Sequence, residues 1–242
     1  SWFDFFDQYI TPAVTQNILF DTVATSVNYS GDDIVVSTQA GQTFSAEKVI
    51  VTAPVKILQD GDITFVPKLP QRKVDALNDV TFWDGMKVFI NFAEAFYPTF
   101  LEFADTERQL GDRVYYDAAY GRPTDASILG FFLIGEPVNR YKDLSDDALK
   151  IIILAELDEI FAGQASQHYI SHISQVWSRE PFIRGAYVRD SENWRRVAAL
   201  GEPVAGKVYF AGDAYTDGDD WGFVHTAAQS AMNVVDVLVR GG

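Results

Sequence analysis

The sequence predicts a mixed fold of the α/β plus α+β class, built in two parts. Near the C-terminus, the apolar run at residues 208–211 is followed by Gly212, Asp213 and a polar loop. Small and apolar residues at helical spacing then begin near Gly222, which is typical of a strand, a turn and a helix. Elsewhere, short apolar runs separated by Gly- and Asp-containing turns indicate antiparallel hairpins.

Composition limits the classes of function. The chain has 242 residues, of which 48% are hydrophobic, so it can form one large core or two modest ones. Its formal net charge of −15 argues against nucleic acid or an anionic membrane as a partner. No apolar run approaches the roughly 20 residues of a membrane helix. The absence of cysteine excludes disulfides, thiolate catalysis and cysteine zinc sites.

The first quarter of the chain is predicted to contain one helix and several short strands. Residues 1–15 carry aromatic and apolar side chains at helical spacing, which predicts a helix. Strands are predicted at residues 18–20, 23–29, 34–38, 43–46 and 48–52. The last of these strands is expected to be buried, and Pro54 follows it.

The middle of the chain is predicted to combine an antiparallel sheet with helices. Residues 63–69 are extended, a short helix follows Pro70, and a strand runs from Gly85 to Phe92. A further strand is predicted at 127–134, and residues 96–126 form sheet and loops with many aromatic side chains (Phe96, Tyr97, Phe100, Phe103, Tyr115, Tyr116 and Tyr120). A helix capped by Ser145 extends to about residue 161, and a strand covers 171–176. This helix is expected to bury Leu149, Ile153, Leu157, Ile160 and Phe161.

The C-terminal strand, turn and helix could hold a ligand. A helix N-terminus presents unpaired backbone N–H groups and a partial positive charge, which suit a phosphate or an electron-rich ring edge. Asp213, at the end of the strand, could accept hydrogen bonds from a polyol. The alternative is an ordinary βα unit packed in a core.

No metal site is predicted. His168 and His172 are four residues apart, but the break at Gly163 and a strand-like sequence from residue 171 make a shared helix unfavourable. The run Asp217-Gly218-Asp219-Asp220 lacks the alternating ligands and closing Glu of a calcium loop, so it is interpreted as a solvated acidic turn.

The C-terminal motifs resemble those of a known family. FAGD at 210–213, followed by GFVHTAA and QSA, is similar to the flavin motif of the flavin-containing amine oxidases, which read F-[AT]-G-E and G-x-V-H-G-A-x-x-S-G. Asp213 stands where the family has Glu, and Ala231 stands at the second Gly. Thr226 stands at the first Gly, where the backbone usually approaches the flavin closely.

Further segments in family order strengthen the resemblance. VIVTAP at 49–54 and ITFVPKLP at 63–70 are similar to family motifs. The resemblance implies that the backbone of Val23 contacts the adenine of FAD and that Pro54 lies beside the flavin. It also implies that Lys87 binds a water next to flavin N5. The alternative for Lys87 is a surface lysine at the start of a strand.

The segment WSREPFIRGAY at 177–187 looks like a second family motif. Ala186 falls at the position of the flavin-attached Cys, so the resemblance implies a non-covalent flavin. Tyr187 and Phe223 fall on the two walls of the family's aromatic cage, and the Val224 backbone falls at the flavin ring. Two such rings would exclude water and stack the amine. The alternative for each ring is ordinary packing.

One family feature is missing, because the sequence contains no G-x-G-x-x-G. The resemblance covers nearly the whole chain but only the C-terminal half of a typical member. We therefore expect a fragment, a truncated reading frame or one piece of a split protein, whose partner is the N-terminal half of the FAD domain. Residues 1–60 and 195–242 would be the remnant of a Rossmann-like FAD-binding domain, and residues 61–194 an antiparallel-sheet substrate domain.

The function implied by the resemblance is FAD-dependent oxidation of an amine to an imine, with O₂ reduced to H₂O₂. We expect the chain alone to bind FAD weakly or not at all, to be inactive by itself and to self-associate through exposed apolar surface. A flavin-free binding or assembly module, or a flavoenzyme of the desaturase or protoporphyrinogen oxidase type, remains an alternative. Residue 1 is not Met, no signal peptide is visible, and the expected location is cytoplasmic.

Overall fold

The computed structural model describes residues 2–102, 111–189, 194–218 and 220–240; Phe103 and Asp219 lie outside these ranges. The helices are α1 Trp2–Tyr9, α2 Thr11–Val14, α3 Val55–Gln59, α4 Gln71–Asp79, α5 Asp146–Phe161, α6 Gln164–His168, α7 Trp194–Gly201 and α8 Val224–Arg240. The strands are β1 Ala24–Asn28, β2 Ile34–Thr38, β3 Thr43–Ala46, β4 Val49–Val51, β5 Thr64–Val66, β6 Gly85–Phe92, β7 Phe100–Glu102, β8 Gly111–Asp117, β9 Ser127–Gly135, β10 Tyr169–Val176 and β11 Val208–Phe210.

The N-terminal helix is interrupted, and the strand predicted after it is wrong. A break at Ile10 precedes α2, whose first turn contains a proline, and a 3₁₀ turn at Thr15–Asn17 follows. Residues 18–20 form no strand, because their exposed side chains have no neighbouring strand in this part of the structure. Leu19 and Phe20 both face solvent.

A four-stranded sheet follows in the order β3-β2-β1-β5. The first three strands are antiparallel hairpins, whereas β5 runs parallel to β1. The hairpin strands predicted at 34–38 and 43–46 are confirmed. This sheet supplies Val27 and Ile34 to the first of two cores.

The predicted βα unit near the C-terminus is also present. Strand β11 pairs in parallel with β4, and Phe210 lies opposite Val51. The predicted burial of residues 48–52 holds at Val51 and in part at Val49, but it is wrong at the other three residues, and Ile50 is 41% exposed. The reason is that the sheet has two strands in the described structure, so the face at Ile50 is open, whereas parallel sheets are usually covered on both faces.

The largest sheet is antiparallel, with the order β10-β6-β9-β8-β7. Ser145 precedes helix α5, and its hydroxyl accepts from the Ala148 N–H at 3.3 Å, as predicted for an N-cap. Leu149, Ile153 and Leu157 of α5 pack in the second core. The predicted burial of Ile160 is wrong, since it is 42% exposed. The buried stripe advances by four residues per step, so Phe161 continues it and Ile160 points about 100° away.

The two cores divide the described chain. One core takes residues from 27–80 and 188–215, and the other takes residues from 86–176. The first core thus includes side chains from β5 and α4. The boundaries given above, at 60/61 and 194/195, stay a prediction. Among the described helices, none has the length and apolarity to cross a bilayer.

Candidate functional site

The turn after β11 connects several parts of the first core. Gly212 has φ of +150°, where a side chain would be strained, and its N–H donates to the Ser230 hydroxyl of α8 at 3.3 Å. The Tyr215 phenol donates to the Ala53 carbonyl at 2.5 Å. Since Ala53 precedes Pro54, this bond holds the end of the β4 segment against the Gly212 turn.

Asp213 lies half-buried in this turn. Burial raises the pKa of its carboxyl, while the N–H groups of Asp213 and Ala214 act in the opposite direction. The Asp213 carbonyl accepts from the Gly222 N–H at 3.2 Å, which closes the polar loop and places the start of α8 beside the acid.

Tyr187 reaches the same place from a distant part of the sequence. A Cβ added to Gly222 would lie 3.6 Å from Tyr187 Cδ2, so the tyrosine ring packs on the residue that precedes Phe223. The Tyr187 carbonyl accepts from the Trp83 N–H at 2.9 Å, and the two rings are 6.3 Å apart. Burial, and secondarily the charge of Asp112, raises the pKa of the Tyr187 phenol. The structure thus brings together Tyr187 and the segment that carries Phe223.

The start of α8 is apolar and open. Phe223 is 56% exposed and Val224 is 40% exposed. Thr226 is buried instead, because its hydroxyl donates to the Phe223 carbonyl at 2.8 Å and accepts from the Phe223 N–H at 3.1 Å. The side chain that departs from the family pattern is therefore turned into the protein.

Lys87 lies in the antiparallel sheet, half-buried. Its neighbours across the strands are Gln175 and Phe132, and its ammonium is 5.6 Å from the Phe132 ring centre. Gly85, two residues earlier on the same face, packs against Ala186, because an added Cβ would come within 2.5 Å of the Ala186 Cβ. Lys87 is thus about 7 Å along the strand from the segment that carries Tyr187.

Val23 lies next to the four-stranded sheet, outside the turn that follows β11. It precedes β1, and its carbonyl accepts from the Gln39 N–H at 2.9 Å. The structure therefore groups Pro54, Gly212 and Asp213 with the start of α8, and it holds Val23 beside the four-stranded sheet.

Sequence reasoning did not single out Trp83 or Arg184, which help to position Tyr187. Arg184 has φ of +58° and donates to Asp60 at 2.9 Å and to Asp62 at 2.6 Å. These bonds attach the loop before Tyr187 to the end of α3. The partners are more than 120 residues away in sequence, so no local pattern could have indicated them.

The grouped residues have the chemistry of a flavin cradle. An exposed apolar helix start at Phe223 and Val224 can contact an aromatic ring system, and the half-buried Asp213 can accept from hydroxyl groups. Gly222 has φ of +83°, a conformation that favours glycine, and the Tyr187 ring packs beside it. Within the described ranges, no three His or acidic side chains are close enough together to hold a metal ion.

Comparison with known proteins identifies the family of this chain. The profile of the flavin containing amine oxidoreductases matches residues 7–239. The chain belongs to this family. The match extends over both cores and includes every residue of the candidate site.

The relatives of this chain include proteins named as polyamine oxidases and as histone demethylases. The chain is 27% identical to polyamine oxidase 1 of Zea mays over 239 residues, which is 94% of this chain and 46% of that protein. It is 29% identical to lysine-specific histone demethylase 1B of Mus musculus over 195 residues, which is 78% of this chain and 24% of that protein. The chain therefore spans at most about half the length of these relatives.

Solved structures share the fold. Wild-type putrescine oxidase bound to putrescine superposes with a TM-score of 0.78 at 19% sequence identity, over 95% of this chain and 51% of that one. The mixed α/β architecture with an antiparallel sheet is therefore that of this family of oxidases.

Proposed function

We propose that this chain takes part in the FAD-dependent oxidation of an amine to an imine, with O₂ reduced to H₂O₂. The observation that carries the proposal is the packing of the Tyr187 ring on Gly222, directly before Phe223. The Tyr187 ring thereby lies next to the segment that carries Phe223, 36 positions further along the chain, beside the Asp213 turn. The names of the relatives, among them polyamine and putrescine oxidases, support an aliphatic amine as substrate.

The residues that would hold the flavin surround this turn. Gly212 and Pro54 would lie beside the flavin at the ends of β11 and β4. Asp213 would contact the ribityl chain or the pyrophosphate, and the Val224 backbone would face the ring. Val23 would contact the adenine from the four-stranded sheet. Bound FAD would supply a two-electron acceptor that O₂ reoxidises. With Ala186 in place of a cysteine, the attachment would be non-covalent.

Tyr187 and Phe223 would bind the amine between their rings. Aromatic faces attract a cationic nitrogen and exclude water from its neighbouring carbon. A tyrosine phenol is protonated at neutral pH, and burial raises the pKa of Tyr187 further, so the ring is uncharged. A neutral ring of this kind can accommodate the amine in either protonation state.

Lys87 would hold a water molecule in front of the flavin. Its side chain is half-buried, and its ammonium lies 5.6 Å from the centre of the Phe132 ring. Such a cation can orient water and stabilise negative charge that develops on oxygen.

The test is amine-dependent peroxide formation by the purified chain, mixed with FAD and a separately expressed polypeptide carrying the family's Gly-rich turn. Tyr187→Leu and Phe223→Leu should each lower kcat/KM for an aliphatic amine about tenfold. Lys87→Met should lower kcat by at least about tenfold. Tyr120→Leu, at an exposed tyrosine outside the site, is the matched control. Absence of peroxide with the unmodified chain, despite bound flavin, would refute the proposal.

We also propose that the chain by itself binds FAD weakly or not at all, since its 242 residues contain no Gly-rich pyrophosphate turn. Its partner would be a polypeptide that supplies this turn. An absorption spectrum of the purified chain measures how much flavin it binds. A yellow protein with one flavin per chain would contradict it.

A flavin-free binding or assembly module is the second candidate. The observation in its favour is Thr226, whose hydroxyl already occupies both backbone groups of Phe223 at the start of α8. Flavin titration of the assembled protein separates the candidates, because the module would bind its partner polypeptide without taking up FAD.

A further inference from the structure

The imidazole of His225 lies against the ring of Phe223. The two ring centres are 5.3 Å apart and the ring planes differ by 21°, so the rings are stacked. Residues two positions apart do not face each other on a helix. The contact is possible because Phe223 precedes Val224, the first residue of α8, and follows Gly222, whose φ is +83°. The non-helical backbone before α8 thus allows the two rings to stack.

The carboxylate of Asp220 holds this imidazole in place. One carboxylate oxygen is 3.2 Å from His225 Nε2, and the other accepts from the Trp221 N–H at 2.9 Å. The carboxylate therefore connects the imidazole to the backbone of the loop that precedes Phe223. An exposed pair of this kind contributes little to stability. Its effect is to restrict the orientations of the imidazole.

The backbone of Phe223 is fixed, but its ring is open to solvent. The Thr226 hydroxyl binds the N–H and the carbonyl of Phe223, at 3.1 Å and 2.8 Å. Phe223 is nevertheless 56% exposed. An exposed side chain changes rotamer within nanoseconds, and a ligand that immobilises it binds more weakly for that reason. A ring that His225 already orders can therefore bind a ligand at a smaller entropic cost.

We propose that His225 is a positioning residue for the amine site: stacked on one face of Phe223, it orders the ring so that the opposite face can bind the amine. The inference rests on the proposed amine oxidation and adds a residue to its amine site. His225 acts through Phe223 and not on the reacting atoms. Its loss should therefore raise KM for an amine and leave kcat nearly unchanged.

The stacking is tested first, by fluorine NMR of the purified chain with para-fluorophenylalanine in place of Phe223. His225→Ala should shift the resonance of residue 223, because the ring current of the imidazole is removed from its face. His168→Ala is the matched control and should leave the resonance unchanged. His168 also stacks on a phenylalanine, Phe96 at 6.0 Å, and pairs with a carboxylate, Glu94 at 3.3 Å. This measurement needs neither flavin nor amine, and an unchanged resonance in His225→Ala overturns the inference by itself.

The positioning role is then tested by peroxide formation from n-octylamine, with the chain supplied with FAD and its partner polypeptide. His225→Ala should raise KM about fivefold and change kcat by less than about twofold. His225→Phe should restore KM to within about twofold of the wild type, because a phenyl ring can stack in the same place. His168→Ala should have the KM and kcat of the wild type.

The outcomes separate this inference from the function on which it rests. A shifted fluorine resonance with an unchanged KM in His225→Ala, while peroxide still forms, overturns the positioning role and leaves the proposed function intact. A fall in kcat, or no rescue by His225→Phe, also overturns it, because His225 would then act on the chemical step or only support the fold. If the wild type forms no peroxide despite bound flavin, the proposed function fails, and the positioning role fails with it.

Discussion

The ammonium nitrogen of Lys73 lies 3.8 Å from the centre of the Phe210 ring, inside the first core. The same ammonium donates to the carbonyls of Ala199 at 3.1 Å and Leu200 at 2.6 Å, at the end of α7. Lys73 is 4% exposed, and burial lowers its pKa from 10.5 to about 7. One buried side chain thus connects α4, α7 and β11.

Because this lysine is buried, we expect the stability of the protein to depend on pH. Between about pH 7 and 10.5 the unfolded chain binds the Lys73 proton and the folded chain does not, so the free energy of unfolding rises with pH in this window. This gain in the free energy of unfolding is lost as the pH falls toward 7. Relative to Lys73→Met, the wild type should gain up to about 1.4 kcal/mol per pH unit between pH 7 and 9, as measured by urea denaturation. Parallel pH profiles for the two proteins would contradict the prediction.

We expect the Glu156 carboxylate to stabilise the fold beside the second core. It accepts from Arg113 at 2.8 Å, from Arg140 at 2.7 Å and from the Tyr141 phenol at 3.0 Å. Glu156→Gln should lower the free energy of unfolding by about 2 kcal/mol, because the largely buried Arg113 guanidinium keeps its burial but loses the opposite charge. Glu159→Gln, on the exposed side of the same helix, should change it by less than about 0.5 kcal/mol. Equal effects of both variants would argue against a special role for the network.

A substitution at Gly185 is expected to shift the loop that positions Tyr187. A Cβ at this residue would lie 2.3 Å from the Phe82 ring and 3.2 Å from the Trp83 carbonyl. Gly185→Ala should destabilise the protein by about 2 kcal/mol and alter the tryptophan fluorescence, because the loop must move. Gly31→Ala is the control, since its nearest atom would be 3.5 Å away. Wild-type stability and fluorescence in Gly185→Ala would show that the loop accommodates a methyl group without moving.

The outer side of α8 predicts self-association of the isolated chain. Met232, Val235 and Val239 are exposed along this helix and form an apolar surface. Replacing Val235 and Val239 with Glu should shift the sedimentation coefficient from oligomer to monomer. Ile151→Glu, at an exposed apolar residue of α5, should leave the oligomer intact. A wild-type chain that is already monomeric at high concentration would exclude this surface as an association site.

Local patterns were sufficient for most of the secondary structure. The hairpin strands β2 and β3, the strand β6 and the helix α5 follow from side-chain alternation, turn residues and an N-cap, which act between near neighbours. The same local signals failed at residues 18–20, where an apolar run finds no strand to pair with in the described structure. Pairing requires a partner, and a short apolar run does not contain that information.

The sequence by itself determined the order of the secondary-structure elements and the family motifs. Both depend on residues that are close together along the chain. Only the tertiary structure decided that the Tyr187 ring rests on Gly222 and that Lys73 is buried under α7. These contacts join segments tens to more than a hundred residues apart. They are set by how whole sheets and helices pack to bury apolar area, which no local pattern specifies.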